Sequence, residues 1–132
     1  MMTYYLSPRS RRLRTSRRFD TSHTEVYIPF DVVADDDGYQ ISAFIPGVDV
    51  EDVKIEVLDD TVSISGEFTS VEDDDTRYLL RERPSGRFSR VLRLPTALEA
   101  GEAEADISNG VLTLLVPQAE SAKPKKITIK AK

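Results

Sequence analysis

The sequence predicts an all-β chain folded as a sandwich of two sheets, on three observations. Eight short segments are rich in β-branched residues, several of them alternate apolar with polar side chains, and turn-forming residues punctuate the gaps. No stretch keeps a helical period over a useful length, so sheet packed on sheet is left as the way to bury the apolar faces.

In chain order the predicted strands are residues 28–35, 39–45, 53–58, 61–66, 78–83, 88–94, 103–108 and 111–116. Alternation is clearest in the third, Val53-Lys54-Ile55-Glu56-Val57, where a period of two puts the aliphatics on one face and the charges on the other. Val62 and Ile64 repeat the pattern against Ser63 and Ser65. Gly38, Gly47, Gly66 and Gly86 fall at punctuation points, and none belongs to a phosphate-cradling GxGxxG or P-loop. Asn109-Gly110 is the strongest local signal: a type I′ turn needs positive φ at both central residues, which predicts a tight hairpin joining 103–108 to 111–116.

The insertion between Gly66 and Phe88 begins with the acidic run Glu72-Asp73-Asp74-Asp75 and then looks like a strand over 77–83. A loop of that length carrying its own strand is usually functional. After Pro117 the chain turns polar and ends on Ile127-Thr128-Ile129 among lysines. Two isoleucines one residue apart project to the same side of an extended segment, so this tail needs something to cover it. It is either a last edge strand of its own domain or a segment that reaches elsewhere.

With 132 residues there is room for one core and two short ends, divided as a basic arm (1–24), a β-sandwich domain (25–117) and a tail (118–132). Hydrophobic residues make up 39% and charged residues 31%, which suits a modest core with a wet periphery. The formal charge of −5 hides an asymmetry: six arginines against Asp20 give the first 24 residues +5 and leave −10 on the rest. The arm shows no sustained period and is read as mobile. The chain contains no apolar run of membrane-spanning length and no signal-like apolar stretch at its start, and it is expected to be soluble and cytoplasmic.

The absence of cysteine excludes disulfides, thiolate metal sites and cysteine nucleophiles. His23, the only histidine, lies in the arm with nothing to build a charge relay, so no catalytic residue and no cofactor is expected. Asp35-Asp36-Asp37 and Glu72-Asp73-Asp74-Asp75 do not reproduce the calcium spacing of an EF-hand and read as solvated loops. The arginines with Tyr4, Tyr5 and Phe19 raise a nucleic-acid reading, but the acidic body would repel the same polymer, so specific nucleic-acid binding is not expected. A transit-peptide reading of the arm stays open. Contact between the arm and acidic bodies of neighbouring subunits or clients accounts for it better.

Over residues 26–129 the sequence resembles the small heat-shock protein, or α-crystallin domain, family. Ala105-Asp106-Ile107-Ser108-Asn109-Gly110-Val111-Leu112 matches the A-x-x-x-n-G-V-L signature. Four further blocks stand in the same order as in that family: Phe44-Ile45-Pro46-Gly47-Val48, Val62-Ser63-Ile64-Ser65-Gly66-Glu67, Phe88-Ser89-Arg90-Val91-Leu92-Arg93-Leu94-Pro95 and the terminal I-x-I. The resemblance implies an immunoglobulin-like sandwich that dimerises by strand exchange. The strand near 77–83 would pair with the partner's sheet, with Tyr78, Leu79, Leu80 and Arg90 at the dimer interface. It also implies that Ile127 and Ile129 dock on a neighbouring dimer, in a groove between the strand holding Ile55 and Leu58 and the strand holding Ala103 and Ala105. Clients would meet the arm through Tyr4, Tyr5, Leu6, Leu13 and Phe19. The arm is shorter and richer in arginine than is common in that family, and Gln118 stands where lysine is common.

The function implied is ATP-independent holding of unfolding proteins by a dimer-based homo-oligomer. The rival is a CS-type (p23-like) co-chaperone sandwich acting as a monomer. Such sandwiches lack the strand-bearing loop and the terminal I-x-I, and a monomeric elution on size exclusion would favour the rival.

Overall fold

A computed structural model of the chain describes residues 25–69 and 75–132. Seven strands form among the described residues: β1 (Phe30–Ala34), β2 (Gly38–Phe44), β3 (Val53–Leu58), β4 (Thr61–Phe68), β5 (Gly86–Arg93), β6 (Glu104–Ser108) and β7 (Val111–Pro117). One antiparallel sheet has the order β1-β2-β7-β6 and the other β3-β4-β5. The only helical pieces among the described residues are three short 3-10 turns, at Val50–Asp52, Ala100–Glu102 and Glu120–Ala122.

The period of two decides what each sheet buries. Ile41 and Ala43 of β2 and Leu112, Leu114 and Val116 of β7 face Val62 and Ile64 of β4 and Phe88 of β5, all of them at most 2% exposed. Ile28, Ile45, Val48, Leu94 and Leu98 close the ends of this core. Each large aliphatic or aromatic buried in this way stabilises the fold by roughly 1.5–3 kcal/mol. No polar or charged side chain is buried among the described residues, so the core carries no desolvation penalty that needs a partner.

Two glycines are needed where they stand. Asn109 and Gly110 adopt φ of 52° and 76°, the left-handed pair of the predicted type I′ turn between β6 and β7. The carbonyl of Gly110 also accepts from Ile45 N at 2.8 Å, and a Cβ on Gly110 would lie 2.9 Å from Pro46 Cα. Gly66 lies under Phe88, where a Cβ would come within 2.4 Å of the ring. That ring in turn packs against Phe68 at 5.5 Å between centroids.

The expected eighth strand does not form. Residues 75–85 carry no ladder, and Tyr78, Leu79 and Leu80 are 47%, 62% and 54% exposed. A strand exists through its pairing, and the nearest edge is taken: β5 pairs with β4 on one side, and on the other Val26 N donates to Arg87 O at 2.8 Å.

Candidate interaction sites: a groove, two open edges and the tail

A two-sheet sandwich leaves four edge strands, and their positions define the surfaces offered to other chains. On one side, Leu98 N donates to Asp59 O at 2.8 Å, tying the segment that leads into β6 to the β3–β4 turn. That contact sets the edges β3 and β6 facing each other across the rim. On the other side, Val26 and Ile28 bridge from β5 to the start of β1.

The inward-facing residues of the first pair are only partly covered. Val53, Ile55 and Val57 of β3, with Ala103 and Ile107 next to and within β6, are half-buried against the core. Ala105 pairs in register with the fully buried Leu114 and so faces inward, yet it is exposed. Together they form an apolar slot of partly covered side chains along the two edges. The register turns Leu58, paired with Thr61, to the outward face, where it is 72% exposed, and puts Val57 and Ile107 inward with Ile55.

Glu102 stands beside Ala103 at the β6 end, while the register turns Glu104 and Asp106 of β6 and Glu56 of β3 to the outward faces, where Glu56 holds Lys54 Nζ at 2.7 Å. The Glu56 hydrogen bond and charge raise the Lys54 pKa. At the β3–β4 turn Arg93 Nε donates to Asp60 Oδ2 at 2.9 Å, and this bond, then that from Thr61, holds the Asp60 carboxyl below its ordinary range.

The tail is pinned at its root and free at its end. Gln118 N donates to Asp37 O at 2.9 Å, Ala119 N to Ala97 O at 2.8 Å, and Lys123 Nζ reaches Glu120 Oε1 at 2.9 Å. Beyond Lys123 no strand or helix forms, and Ile127 and Ile129 are 89% and 92% exposed. Within the described structure the tail is thus not an edge strand of its own domain.

Arg90, expected at a dimer interface, is tied within its own chain to the segment before β1. It lies on the inward face of the edge strand β5, paired in register with the buried Ile64. Its Nη1 donates to the carbonyl of Ile28, and its guanidinium lies 5.2 Å from the Tyr27 ring centroid and 4.9 Å from that of Phe30. Such cation–aromatic contacts hold residues 27–30 against β5. The sequence reading missed Tyr27 and Phe30 as partners because they are neighbours only through the fold.

The loop holding Tyr78 borders a cleft of about 740 Å³ with Val26, Ile28, Phe44, Pro46 and Phe68. Within it Arg81 lies 5.0 Å from the Tyr78 ring centroid and donates to Ser85 Oγ at 3.0 Å. The arm residues Tyr4, Tyr5, Leu6, Leu13 and Phe19, with His23 and most of the 72–75 acidic run, lie outside the described residues. No helix among the described residues is long and apolar enough to cross a membrane.

The sequence profile of the Hsp20/alpha crystallin family matches residues 31–130. Among curated proteins, spore protein SP21 of Stigmatella aurantiaca is 34% identical over 105 residues, covering 78% of this chain and 62% of that protein. A 17.8 kDa class I heat shock protein of Arabidopsis thaliana is 41% identical over 92 residues, covering 67% and 58%. The chain thus spans roughly six tenths of the length of these relatives. Among solved structures, heat shock protein 16.0 of Schizosaccharomyces pombe superposes with a TM-score of 0.68 at 32% identity, over 82% of this chain and all of that one. A small heat-shock protein of Xylella fastidiosa gives 0.66 at 25% identity with the same coverage. With its two-sheet sandwich and a family profile running from β1 into the tail, the chain belongs to the Hsp20/alpha crystallin family.

Proposed function

We propose that this protein is an ATP-independent holdase: a homo-oligomer, built from dimers, that binds unfolding proteins and keeps them from aggregating. The observation that carries the reading is a pair of fully solvated isoleucines on a rooted tail, matched by a half-covered apolar slot between β3 and β6 on the same chain. A chain that carries both halves of a contact it does not make with itself is built to make it with copies of itself. Ile127 and Ile129 enter the slot of a neighbouring subunit, over Ile55, Val57, Ala103, Ala105 and Ile107.

Dimerisation belongs to the loop. Tyr78, Leu79 and Leu80 are exposed apolar residues without a ladder, and the outer edge of β1, with Val32 43% and Val33 61% exposed, has unpaired backbone groups. A partner's loop added to such an edge satisfies those groups on both chains. Arg90 supports this interface from beneath by fixing residues 27–30 at the entry to β1. Clients are bound by the apolar residues of the arm, Tyr4, Tyr5, Leu6, Leu13 and Phe19, and the acidic body keeps the complex in solution. The protein acts in the cytoplasm.

The test is aggregation of an unrelated client heated with and without equimolar protein, no nucleotide present, followed by light scattering. Suppression is expected, together with an assembly mass well above the 14.8 kDa of one chain. Equal scattering with and without the protein across a range of temperatures would refute the holdase reading. A monomeric native mass would refute the oligomer.

A further inference from the structure

We propose that the outward face of the four-stranded sheet is the resting seat of the chain's own basic arm, residues 1–24, which on the holdase reading above leaves that seat to bind a client. The register places the outward side chains in three rows across β1, β2, β7 and β6. Phe44, Val111 and Ser108 form the first row. Asp31, Ser42, Thr113 and Asp106 form the second, and Val33, Gln40, Leu115 and Glu104 the third. The middle of the face is neutral and partly apolar, with Phe44 65% and Leu115 46% exposed. Its margins are acidic, and no basic side chain stands in any row.

None of Asp31, Glu104 and Asp106 is in an ion pair among the described residues. The outward face of the other sheet is built differently. There Lys54, Arg87 and Arg93 alternate with Glu56 and Glu67, and two of the cations are already paired, Lys54 with Glu56 and Arg93 with Asp60. The outward face of the three-stranded sheet thus carries three cations beside its exposed Leu58 and Val91, whereas that of the four-stranded sheet carries carboxylates and no cation.

The arm is the complementary object, with six arginines against one acid and Tyr4, Tyr5, Leu6, Leu13 and Phe19 between them. Cations interleaved with apolar side chains match a face whose acids stand outside its apolar centre. The geometry of departure also agrees. Val26 is bonded to Arg87 of β5 and the chain enters β1 at Phe30, so the arm leaves at the rim beside β1. Four strands span about 15 Å at the usual spacing. Six extended residues reach about 20 Å, so Phe19 attains the centre of the face while Arg17 and Arg18 stand over its acids. The seat is on the same subunit or, equally within reach of the chemistry, on a neighbour in the assembly.

The absence of native cysteine gives a clean test in the full-length chain. Ser16→Cys is combined with Ser42→Cys, in the middle of the proposed seat, or with Ser63→Cys, in the middle of the opposite face, and disulfide formation is timed under mild oxidation. Single-cysteine variants correct for disulfides between like positions, and Gln40→Cys replaces Ser42→Cys if that substitution disturbs the far-ultraviolet circular dichroism. At low salt the 16/42 pair is expected to close roughly fivefold or more faster than the 16/63 pair, the scale of a few exposed ion pairs acting together. The advantage is expected to shrink at 1 M salt, where the screening length is about 3 Å, and in an Asp31→Asn/Glu104→Gln/Asp106→Asn background. Equal rates at the two faces overturn the proposal. So does a preference that neither salt nor the neutralised background reduces.

Discussion

Replacing Ile127 and Ile129 by alanine removes three carbons from each of two side chains that are 89% and 92% exposed in the single chain. Because neither residue contributes to its own subunit's core, the sandwich should keep its thermal midpoint while the assembly loses its tail contacts. At about 0.8 kcal/mol per buried methylene, each lost side chain weakens a docked tail by roughly 2.4 kcal/mol. Two per tail make about 5 kcal/mol, several thousandfold in a single contact, as an upper value because docking must also order the tail. Every subunit contributes one tail, so the losses combine across the particle. Native mass by light scattering coupled to size exclusion is the assay, with dimers or other small species expected. A double variant of unchanged mass would show that the slot is not where the tail binds, and a large fall in its thermal midpoint would show that the isoleucines serve their own domain.

Three further outcomes are expected. Replacing residues 72–84 by a short Gly-Ser turn should give folded monomers, since it removes Tyr78, Leu79 and Leu80 without touching the core; a dimer by light scattering would refute strand exchange through this loop. Val57→Ala or Ile107→Ala should weaken assembly, whereas Leu58→Ala should leave it unchanged, because the register turns Leu58 to the outward face; equal effects on native mass would contradict this assignment. The Asp60 carboxyl has its pKa lowered by Arg93, so its contribution is present above the ordinary aspartate range and is lost as pH falls through the lowered value. Asp60→Asn should therefore narrow the stability difference between neutral and strongly acid pH in denaturant titrations, and an unchanged difference would show the pair to be inert.

The strands were legible where their residues alternate, and least so where the partner is another element. Residues 53–58 emerge as β3 with the bounds their pattern gives, and Asn109-Gly110 forms the turn its φ preferences require. The segment at 77–83 has the composition of a strand, but the edge next to it in sequence, β5, is taken by Val26. Composition reports a capacity for pairing, and pairing is a property of two chains or two elements. Arg90 illustrates the same limit, because its partner carbonyl on Ile28 is 62 residues away and its aromatic neighbours are set by how the segment before β1 crosses β5.

If the protein is the proposed holdase, its four edges must avoid pairing indiscriminately with the unfolding chains it meets. An open edge is a template for any extended apolar segment, and unfolding proteins supply many. β3 carries Lys54 and Glu56 along its outward side, and β6 carries Glu104, Asp106 and Ser108. These charges resist a flat apolar strand, yet they accept a short segment whose isoleucines are flanked by lysines, as Lys126 and Lys130 flank Ile127 and Ile129. β5 is closed by Val26 and by Arg90 beneath it. β1 alone combines an open edge with exposed valines, and it is only five residues long, the length of one short exchanged strand. On this argument the edges select by charge and length, which under the proposed function would keep assembly contacts specific and leave client capture to surfaces that need no backbone ladder.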